Sequence, residues 1–600
     1  MLSALLLLTL AADPRNITAG REIPNEGYAD QPYIVKTTDG AWLCVLTTGT
    51  GREGDGGQHV ISTRSTDQGR TWSPPVDLEP ATGPEASYAV LLAVPSGRIY
   101  AFYNHNTDNL RQVKADNPPY KDGFNKRVDS LGHFVFKYSD DQGRTWSAQR
   151  YEIPQRDFAI DRQNPYAGKI KFFWTVGKAF AHRNAGYVPL HKVGGFGEGF
   201  FTSSEGVLLR SANILAERDP LKLTWETLPE GDIGLRTPEG AGGPIAEEHS
   251  FSELSDGSLF AVYRTIDGWP ATTYSRDGGR TWEPPQYMQD AAGHRIKHPR
   301  AANFAWRCQN GKFLYWFHNH GGIFIAGHPQ RRVNAYEERN PVWLAGGTEA
   351  DGSTGKVIRW SQPEIALYDD DPIIRMSYPD LIEEDGKYFL TETQKDVARV
   401  HEIDKALVEG LWNPQSAGAS GLVLNLSPPV DSTAKAPLLP LFYQRSRRMD
   451  HGKEDLRTGF TLDLWIHLDS LAAGQVLLDN RTPDGRGFAL VTTAAQAVEL
   501  ILADGRTESR WASDPGTLVT GRPLHIAAIV DGGPKIITFV IDGLLNNGGD
   551  HRQYGWGRFN ASLRGVNGAS TLRLNRVHRL RIYDRYVRTS EAIAAFRAGP

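Results

Sequence analysis

Ser65-Thr66-Asp67-Gln68-Gly69-Arg70-Thr71-Trp72 decides the fold, because it returns twice. The copies are Ser139-Asp140-Asp141-Gln142-Gly143-Arg144-Thr145-Trp146 and Ser275-Arg276-Asp277-Gly278-Gly279-Arg280-Thr281-Trp282. All three fit S-x-D-x-G-x-T-W. The residue types describe a turn: Asp caps backbone N–H groups, Gly accepts a positive φ, and Trp packs the hairpin onto its neighbours. The boxes are structural markers of a repeat and carry no chemistry of their own.

Their spacing sets the repeat length. Ser65 and Ser139 are 74 residues apart, and Ser139 and Ser275 are 136 apart, close to two units. Degenerate copies fit at Ser211 with Leu223-Thr224-Trp225, and at Arg359-Trp360-Ser361. The segment from 22 to 412 then divides into six units of about 65 residues. Short apolar or alternating runs recur in them, at Ala41–Thr47, Arg98–Tyr103, Ser258–Tyr263, Phe313–His318 and Tyr388–Glu392. Gly and Asp turns separate these runs, which read as strands. A closed ring of four-stranded blades protects such strands from exposed edges. The expected fold is all-β: a six-bladed β-propeller over 21–412, followed by a second β domain.

The second domain is read from 438 to 600. Gly459–Ile466 alternates, His525–Gly532 and Thr538–Gly543 form a strand-turn-strand series, and His578–Asp584 precedes a short helix at Ser590–Phe596. The run resembles a concanavalin/laminin-G-like β-sandwich of jelly-roll type, a module that commonly binds glycans. Residues 413–437, rich in Ser, Gly, Ala and Pro, read as a linker.

Composition narrows the function classes. Six hundred residues call for more than one domain. Lys+Arg of 66 against Asp+Glu of 70 leaves a net charge of -4, without the basic excess that nucleic acid requires. Two cysteines, Cys44 and Cys308, support neither a disulfide framework nor a cysteine metal cage and read as small buried residues. The start, MLSALLLLTLAA, is too short to cross a bilayer and reads, within 1–20, as a signal segment. The expectation is a secreted or periplasmic protein, not inserted in a membrane.

The three boxes resemble the Asp-boxes of the sialidase superfamily, over about residues 22–412. That resemblance implies five pocket elements: three arginines for a substrate carboxylate, a Tyr nucleophile paired with a Glu, and an Asp acid/base. Glu247-Glu248-His249-Ser250 is similar to the segment that carries the Glu, so Glu248 takes that place. Arg264, 16 residues on, takes the second arginine's place. Ser377-Tyr378-Pro379-Asp380 resembles the tyrosine segment, and Arg339 the third arginine. Asp55, in the Gly-rich stretch 51–57, matches the acid/base, with His59 as its competitor.

The first blade departs from the pattern, reading Asp30-Gln31-Pro32 where the family carries Arg-Ile-Pro. Asp30 in place of an arginine is expected to repel a bound carboxylate by roughly 4 kcal/mol at about 4 Å and an effective dielectric near 20.

The chemistry is argued beside the family. Breaking a glycosidic bond needs a proton donor for the leaving oxygen and a group that stabilises the developing cation. A Tyr with a base such as Glu serves where a carboxylate nucleophile would be repelled by a charged sugar. Arginines fork onto acidic groups. The reading is a glycoside hydrolase of sialidase type with a modified pocket, acting on a terminal, acidic sugar of a glycan or polysaccharide, without metal or cofactor. Two others stay open. His59, His105, His249, His318 and His320 suit a polysaccharide lyase for uronic acids, and the loss of one arginine suits a non-catalytic glycan-binding propeller.

Overall fold

The structure is a computed structural model that describes residues 13–116, 123–197, 201–328, 336, 338–442, 459–550 and 552–600. Most of the proposed signal segment lies outside the described residues. The chain forms two compact units. One holds Gly20–Trp360 and Ile373–Ile403; the other holds Ser361–Pro372 and Asp404–Pro600 together with the described residues 13–19.

The first unit is a six-bladed β-propeller of antiparallel sheets. Tyr28–Lys36, Trp42–Gly49, His59–Ser65 and Val76–Asp77 make the first blade in sequence order. The next four follow the same order over 86–152, 172–228, 247–287 and 304–360. The sixth takes Leu381–Glu384, Lys387–Thr393 and Ala398–Ile403, and its outer strand is the N-terminal Arg21–Ile23. Side chains knit each blade to the next. Tyr88 N donates to Thr47 Oγ1, Asn104 Nδ2 to Phe173 O, and His249 N to His191 Nε2. Ser250 Oγ then donates to Ala305 O, Gln309 N to Glu383 Oε1, and Thr391 Oγ1 to Pro32 O, which returns to the first blade.

A blade between two neighbours buries both faces. Every residue of Trp42–Gly49 and Ile99–His105 is therefore buried, and these strands read as continuous apolar runs, not alternating ones. The repeated turns have one geometry. In each, the Ser hydroxyl donates to the Asp carboxylate at 2.8–2.9 Å, and the same Asp accepts from the Thr N–H at 2.8–2.9 Å and the Thr hydroxyl at 2.6–2.7 Å. The degenerate third copy substitutes Asn213, which accepts from Thr224 N at 3.1 Å.

The second unit is a β-sandwich of a seven-stranded and a six-stranded sheet. Phe460, Leu462, Leu464 and Ile466, at a spacing of two, enter one core with Phe488, Leu500, Ile526, Phe539 and Leu580. Residues 413–437, expected to be a linker, supply two edge strands, Leu422–Leu426 and Thr433–Lys435. The first carries its own alternation of half-buried and exposed residues, which the surrounding Ser and Pro conceal. Arg15 is buried in this unit. It grips Asp531 through two hydrogen bonds of 2.6 and 2.9 Å and lies 3.9 Å over the Tyr586 ring. Cys44 and Cys308 are both buried, and neither is in a disulfide. Among the described residues, no helix is long and apolar enough to cross a membrane.

Candidate active site

Four blades break register at the same point of their first strand. Asp30 and Tyr33 face Thr47 and Val45, Ser87 and Val90 face Asn104 and Phe102, and Glu247 and Ser250 face Arg264 and Val262. In the sixth blade Ser377 bridges Thr393, whereas Leu381 pairs with Leu390. Each time the first strand holds one residue more than its partner, which is a β-bulge. The residues at these bulges with positive φ are Gln31 (55°), Tyr88 (60°), Glu248 (55°) and Tyr378 (49°). None is a glycine, so each holds backbone strain of order 1–3 kcal/mol that the packed blades must overrule. A bulge re-aims its side chain. Tyr88, Glu248 and Tyr378 line one cavity of about 160 Å³.

Tyr378 and Glu248, 130 residues apart, meet there: the phenol donates to Glu248 Oε1 at 2.9 Å. Arg264 holds the other carboxylate oxygen at 2.9 Å, and its Nε reaches Glu247 at 2.8 Å. Arg300 closes onto Glu247 from behind at 2.5 and 3.0 Å. Burial opposes ionisation of Glu247, but Arg300 and Arg264 bring its pKa down to about 2. Glu248 goes the other way, since burial raises its carboxyl against the pull of Arg264. Burial, and then the charge of Glu248, push the Tyr378 phenol well above its ordinary value. A neutral phenol thus faces a carboxylate of raised basicity, an arrangement fit to pass a proton between them.

The cavity is strongly cationic. Arg127, Arg264, Arg300, Arg339, Arg375 and Lys395 line it, against Glu53 and Glu248. Arg339 donates to Ser377 Oγ at 2.5 Å and to Tyr336 O at 2.7 Å, which fixes its guanidinium in the cavity wall. Trp174 and Phe201, stacked at 4.3 Å, form an apolar wall on which a sugar ring can rest.

Of the residues singled out from sequence, Tyr378, Glu248, Arg264 and Arg339 are brought together. Three are not. Asp30 is fully buried behind the cavity, where its Oδ2 accepts from Tyr28 at 2.8 Å and from Lys395 at 2.8 Å. Its charge is spent on Lys395, so the expected repulsion of a substrate carboxylate is corrected. Asp55 is exposed and caps its own turn by accepting from Arg52 N at 2.9 Å. The carboxylate of that loop that lines the cavity is Glu53, two residues earlier. His59 is buried at the start of its strand, with Nε2 3.6 Å from Asp77 and 3.7 Å from Glu26. Among the described residues no histidine lines this cavity, and no cluster of His, Cys, Asp and Glu suits a metal.

The sequence reading missed Glu53, Arg127, Arg300, Arg375 and Lys395. Lys395 spans 2.8 Å to Asp30 and 3.1 Å to Glu53, and sits 4.4 Å over the Tyr378 ring. Arg127 bonds Glu53 at 2.8 Å, Asp129 at 2.8 Å and the Tyr88 hydroxyl at 2.6 Å. These cations lie in connecting loops without periodicity. Tyr88 sits at a bulge that matches the one at Glu248, a feature that shows only once the partner strand is known.

Comparison with known proteins agrees with the two domain types. Residues 137–148 and 273–284 match the BNR/Asp-box repeat, and 447–594 match the concanavalin A-like lectin/glucanases superfamily. No curated protein matches the chain. Among solved structures, the intramolecular trans-sialidase of Ruminococcus gnavus is 15% identical, with 66% of this chain and 98% of that one covered at a TM-score of 0.43. The leech intramolecular trans-sialidase is 14% identical, covering 67% and 71% at 0.44. A Trypanosoma rangeli sialidase is 13% identical, covering 98% and 96% at 0.40. The chain thus carries Asp-box repeats within its propeller and a concanavalin A-like second domain.

Proposed function

We propose that the protein is a glycoside hydrolase of sialidase type that releases a terminal acidic sugar. The observation that carries this reading is the 2.9 Å bond from the Tyr378 phenol to Glu248, in a cavity lined by six cations. Tyr378 attacks the anomeric carbon as Glu248 takes its proton, and the leaving oxygen receives a proton from the cavity carboxyl, Glu53. Water then cleaves the Tyr378–sugar bond with the proton flow reversed. The guanidinium wall holds the sugar's carboxylate, and Trp174 and Phe201 support its ring. A neutral nucleophile suits this field, because a phenol carries no charge for the sugar's carboxylate to repel.

The test is turnover of a panel of acidic glycans, with products identified by mass. Tyr378→Phe should lower kcat by about 10³-fold or more, and Glu248→Gln by about 10²–10⁴-fold. Undiminished turnover in both variants, or cleavage of neutral glycans alone, defeats the proposal. A product absorbing in the ultraviolet would point to elimination.

A further inference from the structure

The Glu53 carboxylate has a place in the cavity that the reaction alone does not explain. Tyr88, Glu248 and Tyr378 project from strand bulges, whereas Glu53 comes from a loop and is pinned by two cations from elsewhere in the chain. Lys395 holds it at 3.1 Å and Arg127 at 2.8 Å. The other carboxylates paired with cations around the cavity are sealed away. Side-chain exposure is 0% for Asp30, 1% for Asp129 and 0% for Glu247 and Glu248, against 32% for Glu53. Glu53 is therefore the counter-ion that an anion entering from solvent meets and can displace.

We propose that an acidic sugar binds by taking over Lys395 and Arg127 from Glu53, and that Glu53 takes up a proton as it does so. This rests on the reading of the cavity as an anion site. The charges balance: one carboxylate enters, one proton arrives from solvent at Glu53, and the net charge of the cavity is unchanged. Glu53, Lys395 and Arg127 line the cavity together, so a ligand carboxylate held by these two cations lies beside Glu53, and a like charge within ~4–6 Å favours the protonated acid. The groups facing Glu53 from other elements are Lys395, Arg127, the phenols of Tyr28, Tyr88 and Tyr378, and, across Lys395, Asp30. Without ligand, burial would raise the Glu53 carboxyl, yet Lys395 and Arg127 hold it well below the ordinary carboxylate range. Glu53 is thus held ionised until substrate arrives, and substrate arms its own acid. Lys395 also becomes a specificity determinant: it comes from the sixth blade, is anchored by Asp30 of the first, and provides the cation that the first blade lacks.

The experiment is titration calorimetry of the full chain with N-acetylneuraminate and with D-glucuronate, in two buffers of different ionisation heat near about pH 6. The wild type should take up about one proton per sugar bound, and its affinity should rise as pH falls, by up to about tenfold per unit. Glu53→Gln should still bind, without uptake and without that pH dependence. Lys395→Met should bind more weakly and take up less than the wild type. Binding by the wild type without proton uptake overturns this inference and leaves the anion site standing. Uptake that persists in Glu53→Gln assigns the proton elsewhere and also overturns it. Binding of neither acid removes the anion site and this inference with it. The wild-type measurement decides the main point even if a variant fails to fold.

Discussion

Glu247 shows how a single side chain can govern a site without facing it. Fully buried, it binds Arg264 at 2.8 Å and Arg300 at 2.5 and 3.0 Å, so two guanidinium groups are fixed by one carboxylate. Replacing it with alanine should cost about 3–5 kcal/mol, because two buried cations lose the carboxylate they share. Urea unfolding of Glu247→Ala measures this, and a loss below about 1 kcal/mol would show that the arginines find other anions. Its neighbour Glu248 has the opposite task. The two adjacent residues are separated by the bulge, whose positive φ turns Glu248 toward Tyr378. Sequence could pair Tyr378 with Glu248 because each sits in a segment with a recognisable pattern. It could not find Lys395 or Glu53, whose importance comes only from where loops converge, and it misjudged Asp30, because the partner that neutralises it lies 365 residues away.

At the scale of elements, the Asp-boxes and the bulges are two separate repeats on one framework. The boxes were legible because their chemistry is local: Ser, Asp, Gly and Thr satisfy one another within a single turn. The bulges were not, since a register break is visible only once the partner strand is known. Removing the Asp of a box should leave the Thr N–H, the Thr hydroxyl and the Ser hydroxyl without their acceptor. Asp277→Ala is expected to lose about 1–2 kcal/mol. The same change at Asp67 and Asp141 should add nearly independently, since the three turns share no partners. Thermal unfolding of the single and triple variants tests this, and activity per folded molecule should not change, as no box residue lines the cavity.

Across the whole molecule, the packing of blades on both faces buries imidazoles as well as apolar groups. Burial lowers His191 to about 4, His298 to about 3 and His320 to about 4, from an ordinary 6.5. The unfolded chain binds protons at these groups below 6.5 and the folded chain does not. They therefore cost nothing at neutral pH, and stability falls as pH drops from 6.5 toward 4, by an order of 2–3 kcal/mol each. Urea midpoints at about pH 7 and pH 5 test the sign. An unchanged midpoint would mean that the imidazoles are protonated in the fold.

The two ends of the chain bring out a last consequence of Arg15. Arg21–Ile23 completes the sixth blade, and Arg15, a few residues earlier, is held by Asp531 near the far end of the sequence. Neither partner has left the ribosome when the leading segment emerges, so those residues must wait, unstructured, through most of synthesis. The Arg15 contact is then made only after synthesis has passed Asp531, and a stop codon before that residue would leave it unmade.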